Sequence, residues 1–123
     1  VANILIIDDS PTDVRVFTTL LERAGHEVVA VNSAEEGIER ARADLPSLVI
    51  MDVIMPGMNG FQATRTLSRD PITAGVPIVM ITTKSMETDR VWGLRQGARA
   101  FITKPVNEKE LLACINDLLP GVA

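Results

Sequence analysis

The strongest constraint in this chain is a regular alternation of short apolar runs with helix-like segments. The runs are Ile4-Leu5-Ile6-Ile7, Val28-Val29-Ala30-Val31, Leu48-Val49-Ile50-Met51, Pro77-Ile78-Val79-Met80-Ile81 and Ala100-Phe101-Ile102. Each is short, continuous and mostly β-branched, which predicts strands buried on both faces of a parallel sheet. Helix signals fill the gaps. Ser10-Pro11 offers an N-cap followed by proline at the first helical position, Val14, Phe17, Leu21 and Ala24 mark one face, and Gly25 stops the helix. Ser33 with Glu36 forms a capping-box pattern. A third helix is predicted after Asn59-Gly60, ending before Pro71, and a fourth from about Ser85 to Gln96, closed by Gly97. Asn107 with Glu110 starts a fifth, which Pro120-Gly121 ends. The pattern predicts an α/β fold, a (βα)5 doubly wound five-stranded parallel sheet with right-handed crossovers.

The 123 residues fit one domain spanning 1–123, with no attached output domain expected, and can bury a core without disulfides. An apolar fraction of 46% with 23% charged residues excludes a disordered chain. A net charge of -4, no Tyr and few other aromatics argue against nucleic acid as a partner. No run is long enough for a membrane span, and the start Val1-Ala2-Asn3 lacks the basic region of a signal peptide. Cys114 is the single cysteine, so the cytoplasm is the expected compartment.

The chemistry lies where the runs stop. Asp8 and Asp9 follow the first run and Asp52 follows the third. With strand order 2-1-3-4-5 those ends are neighbours, and ligands in such sheets sit beyond the carboxyl ends of the strands. Two carboxylates about 5 Å apart repel by roughly 3 kcal/mol at an effective dielectric near 20, so either a cation neutralises the cluster or solvent screens it. Hard oxygen donors at an open rim suit Mg²⁺ together with a phosphate. Thr82 ends the fourth strand and Lys104 follows the fifth, adding a hydroxyl and an ammonium suited to phosphoryl oxygens. Each residue alone reads as an ordinary strand end; together they describe a carboxylate nucleophile in a phosphate site.

Asp8-Asp9-Ser10, the segment from Asp52 through Asn59-Gly60, Thr82 and Lys104-Pro105 resemble the receiver domain of two-component response regulators, the CheY-like (flavodoxin-like) family. The resemblance spans essentially the whole chain. It implies that Asp52 accepts a phosphoryl group from a histidine kinase or phosphotransfer domain, and that Asp9, Asp8 through water, Asp52 and the backbone carbonyl of Ile54 hold Mg²⁺. It also implies that Thr82 and Lys104 engage the phosphoryl group, that the Lys104-Pro105 bond is cis, and that Phe101 is an aromatic switch; a plain core phenylalanine is the rival reading. The resemblance implies a monomer and a signalling module, not an enzyme beyond promoting its own phosphorylation and dephosphorylation. Its output surface would be the fourth helix, fifth strand and fifth helix.

Glu87 through Arg99, with Gly60-Phe61-Gln62-Ala63-Thr64-Arg65, resembles receivers that act in twitching motility, so chemotaxis-type or twitching-motility signalling is the expected setting. Gly97-Ala98-Arg99-Ala100 and Val106 depart from the pattern of winged-helix transcription-factor receivers. Trp92 reads either as a docking anchor or as a residue half-buried against the fifth strand. Ile54 and Lys84, two residues beyond Asp52 and Thr82, are positions that influence hydrolysis in receivers; apolar Ile54 predicts a long-lived phosphoryl group. His26 reads as a surface turn residue and Cys114 as a small apolar side chain. A phosphate-sink receiver is an alternative output. A haloacid-dehalogenase-type phosphatase is an alternative chemistry, opposed by the absence of an Asp-x-Asp nucleophile motif.

Overall fold

Ten elements alternate without exception along residues 2–119, the part of the chain that the computed structural model describes. They are β1 (Asn3–Ile7), α1 (Pro11–Arg23), β2 (Glu27–Val31), α2 (Ala34–Asp44), β3 (Leu48–Met51), α3 (Gly60–Arg69), β4 (Ile78–Thr82), α4 (Glu87–Gln96), β5 (Ala100–Thr103) and α5 (Glu108–Leu118). The strands form one parallel sheet in the order β2-β1-β3-β4-β5. The expected Pro120-Gly121 stop lies outside the described residues.

Side chains alternate between the two faces of a strand, so each strand feeds two cores. Ile4, Ile6, Leu48, Ile50, Val79 and Ile81 pack with Phe17 and Leu21 of α1 and Leu111 and Ile115 of α5. Leu5, Ile7, Val49, Met51, Ile78 and Met80 pack with Ala34 and Ala41 of α2 and Ala63 and Leu67 of α3. β1, β3 and β4 are thereby covered on both sides.

β2 departs from the expectation of burial on both faces. Val29 and Ala30 are exposed and Val31 alone is buried, because the strand order leaves β2 at an edge. β5, the opposite edge, is likewise only partly covered. A continuous apolar run does not reveal whether its strand is central or marginal.

The caps follow the sequence with two differences. Ser10, Ser33 and Asn107 accept from the backbone N–H three residues on, as N-caps do. The reciprocal capping box belongs to Asn59 and Gln62, which exchange bonds of 2.9 and 3.0 Å. α4 begins at Glu87, two residues later than Ser85, and its N-cap Met86 supplies no side-chain bond.

Candidate functional site

Backbone pairing past the strand ends puts the acidic residues side by side. The Asp52 N–H donates to the Ile7 carbonyl at 2.9 Å and the Asp8 N–H to Val31 at 3.1 Å. The ladder thus runs one step beyond β3 and β1 before the chain turns away. Asp8, Asp9 and Asp52 each present a carboxylate oxygen within 4.8 Å of the other two. Asp8 and Asp52 are buried, at 1% and 5% exposure, whereas Asp9 is open to solvent.

Local bonds orient these side chains. Asp8 Oδ1 accepts from the Ser10 N–H at 2.9 Å, and Asp52 Oδ1 accepts from the Val53 N–H at 2.8 Å. Each leaves its Oδ2 for other partners. Lys104 reaches in from beyond β5, its own N–H donating to the Thr82 carbonyl at 2.8 Å. Its Nζ lies 2.7 Å from Asp13 Oδ2, 3.1 Å from Asp8 Oδ2 and 3.5 Å from Asp52 Oδ2.

Charge balance follows from this packing. Burial pushes the Asp8 carboxyl above its ordinary pKa, and the nearby charge of Asp52 adds to that. The bond from the Ser10 N–H and the Lys104 ammonium offset only part of the rise. Burial opposes the charge on Lys104, but bonding to Asp13, the charge of Asp52 and bonding to Asp8 together outweigh it and raise its pKa. One ammonium does not compensate the carboxylates, and three of them converge as hard oxygen donors. That donor set fits Mg²⁺, which is held by a few carboxylates and retains waters for exchange with phosphate oxygens.

Thr82 is fully buried at the carboxyl end of β4, and its Oγ1 accepts from the Lys84 N–H at 3.3 Å. The Lys104-Pro105 peptide bond is cis. Ile54 is 55% exposed. Lys84 extends toward α4, where its Nζ is 3.7 Å from Asp89 Oδ1. Phe101 is half-buried beside Gly93 of α4 and Met80 of β4. A cavity of 350 Å³ opens beside Asp8 and Asp9, bounded by Pro11, Asn32 and Glu36. A groove of 310 Å³ at the amino-terminal rim of the sheet, between Asn3, Glu27, Arg40 and Asp44, contains none of these residues.

The residue that sequence reasoning missed is Asp13. Its place in the first turn of α1 reads as ordinary helix-dipole complementation. The available signal was its spacing, four residues before Phe17, which puts both on the face of α1 that meets the sheet.

A sheet of this order with an acidic rim, a threonine and a lysine defines a class, and the chain belongs to it: residues 4–116 match the response regulator receiver domain family. Among individual proteins it is 51% identical over 120 residues to Protein PilH of Pseudomonas aeruginosa, covering 98% of this chain and 99% of that protein. Solved structures with the same fold include two CheY-like proteins. A CheY-like response regulator receiver domain protein from Methanospirillum hungatei is 30% identical with a TM-score of 0.88, covering 95% of this chain and 92% of that one. The chemotaxis protein CheY4 of Vibrio cholerae is 29% identical with a TM-score of 0.89, covering 96% and 98%.

Proposed function

We propose that this protein is a phosphorylation-switched signalling module in which Asp52 accepts a phosphoryl group from a histidine kinase or phosphotransfer domain. The observation that carries the reading is the placement of Asp52 Oδ2 at the rim, 3.5 Å from the Lys104 ammonium and grouped with Asp8 and Asp9. In the transfer, Asp52 Oδ2 forms a bond to phosphorus as the phosphorus–nitrogen bond of a phosphohistidine breaks. The electron pair of that bond stays on the imidazole nitrogen, and the product is an acyl phosphate. In hydrolysis, water adds to phosphorus and the Asp52 carboxylate leaves.

Asp9, Asp52, the Ile54 carbonyl and, through water, Asp8 would hold Mg²⁺, which would supply neutralising charge at the transferring oxygens. Lys104 pairs with a phosphoryl oxygen and the Thr82 hydroxyl donates to another. Phosphorylation adds about -1.5 to -2 charges, which draws Thr82 and Lys104 inward. Phe101 then follows into the space that Thr82 leaves, altering the α4, β5 and α5 surface. Trp92, 48% exposed on α4, offers a docking anchor there for a protein target. Similarity to PilH supports a role in twitching-motility signalling. Among the described residues no helix is long and apolar enough to cross a membrane.

The test is incubation with Mg²⁺ and acetyl phosphate, read by intact mass. A phosphate-sized increment that Asp52→Asn abolishes is the expected result; an increment that survives in that variant overturns the assignment. Ile54→Asn places a polar group where water can be oriented and shortens the lifetime of the phosphorylated form. A lifetime equal to or longer than the parent's would count against that role for Ile54.

A further inference from the structure

The shortest contact of Lys104 goes to a residue outside the carboxylate trio. Its Nζ lies 2.7 Å from Asp13 Oδ2, against 3.1 Å to Asp8 and 3.5 Å to Asp52. Asp13 is held in the first turn of α1, where its N–H donates to Ser10 Oγ at 3.3 Å. One helical turn later on the same face, the centroid of the Phe17 ring lies 6.0 Å from Nζ. α1 therefore offers Lys104 both an anion and an apolar rest. The Lys104 side chain is only 10% exposed, so solvent screens this pair less than an ordinary surface pair.

We propose that Asp13 is a positioning residue for phosphotransfer: it anchors the Lys104 ammonium on the α1 side of the pocket and sets how readily it moves to a phosphoryl group on Asp52. The proposal rests on Asp52 being the acceptor. An ammonium has three N–H donors, and Asp13 and Asp8 already occupy it at hydrogen-bonding distance while Asp52 lies farther off. A phosphoryl group attached to Asp52 competes with Asp13 for Nζ and draws it toward the Asp52 side. The Asp13 anchor therefore holds back transfer and weakens the phosphorylated state.

The experiment uses the full chain with Mg²⁺ and acetyl phosphate, with initial rates measured against donor concentration by intact mass. Asp13→Asn is expected to react about fivefold faster at subsaturating donor, the scale of one partly shielded ion pair. Asp13→Ser, a second neutral substitution, is expected to accelerate similarly, and Asp13→Glu, which keeps the carboxylate, to stay within about twofold of the parent. In a Lys104→Gln background the acceleration by Asp13→Asn should vanish, because the anchored group is gone. Neutral variants no faster than the parent overturn the proposal. Equal acceleration with and without Lys104 also overturns it, since Asp13 would then act only by repelling the anionic donor. A parent that takes up no phosphate shows a different failure, that of the acceptor assignment, and removes the proposal with it.

Discussion

Gly60, the first residue of α3, lies directly against the backbone of Asp52. A Cβ at Gly60 would collide with the Asp52 carbonyl oxygen and come within 2.8 Å of the Val53 Cα, and the Gly60 N–H donates to the Val53 carbonyl at 2.9 Å. The start of α3 is thus pressed onto the peptide that carries the Asp52 carboxylate.

Because the obstacle is backbone, it cannot rotate aside as a side chain would. Gly60→Ala is expected to cost about 3 kcal/mol, at the upper end for overpacking, and to slow phosphorylation by displacing Asp52. Gly75→Ala, where nothing lies within 4 Å, is the control and should stay within about 0.5 kcal/mol of the parent in urea unfolding.

Gly93 gives a similar but softer case. A Cβ there would lie 2.7 Å from Met80 Sδ and 3.1 Å from Phe101 Cδ2. Overpacking of about 1–3 kcal/mol competes with a helix-propensity gain of about 1 kcal/mol for alanine. Gly93→Ala should lose about 1 kcal/mol net, and its effect should be less than additive with Phe101→Leu, since both act on one contact.

Asp8 should destabilise the metal-free fold at neutral pH. Its folded pKa lies above the unfolded value of about 3.9, so stability falls as pH rises from there through the folded pKa and then levels off. Asp8→Asn removes the buried charge while keeping an oxygen for the Ser10 N–H. A higher Tm than the parent at pH 7 in chelator is the expected outcome; a lower one would contradict this charge balance.

Magnesium should relieve the same repulsion. At about 100 times its Kd it should stabilise the parent by about 2.7 kcal/mol, and chelation should reverse the gain. Thermal unfolding with and without the ion measures this, and the effect should shrink in Asp8→Asn.

His26 introduces a second pH dependence. Burial lowers its pKa, and its Nδ1 accepts from the Ala2 N–H at 3.3 Å, so the fold favours the neutral ring. Stability is retained above about 6.5 and lost as pH falls from there toward the folded pKa. His26→Gln should lack that component in a pH series of urea midpoints. The expectation of a plain turn residue thus misses a backbone contact made across 24 positions in sequence.

Local patterns along the chain specify the alternating architecture and the residues that stand at the rim. Apolar runs of three to five residues are too short for helices, and Asp8, Asp52, Thr82 and Lys104 each stand at or just past the end of such a run. Tertiary structure decided what depends on neighbours distant in sequence. It placed β2 at an exposed edge, tied Lys104 to Asp13 across 91 positions, and set Gly60 against Asp52. Periodicity records which side of an element faces the core, because burial selects apolar side chains locally. It carries no record of which charged group meets which, because that is settled only when separate helices and strands are packed together.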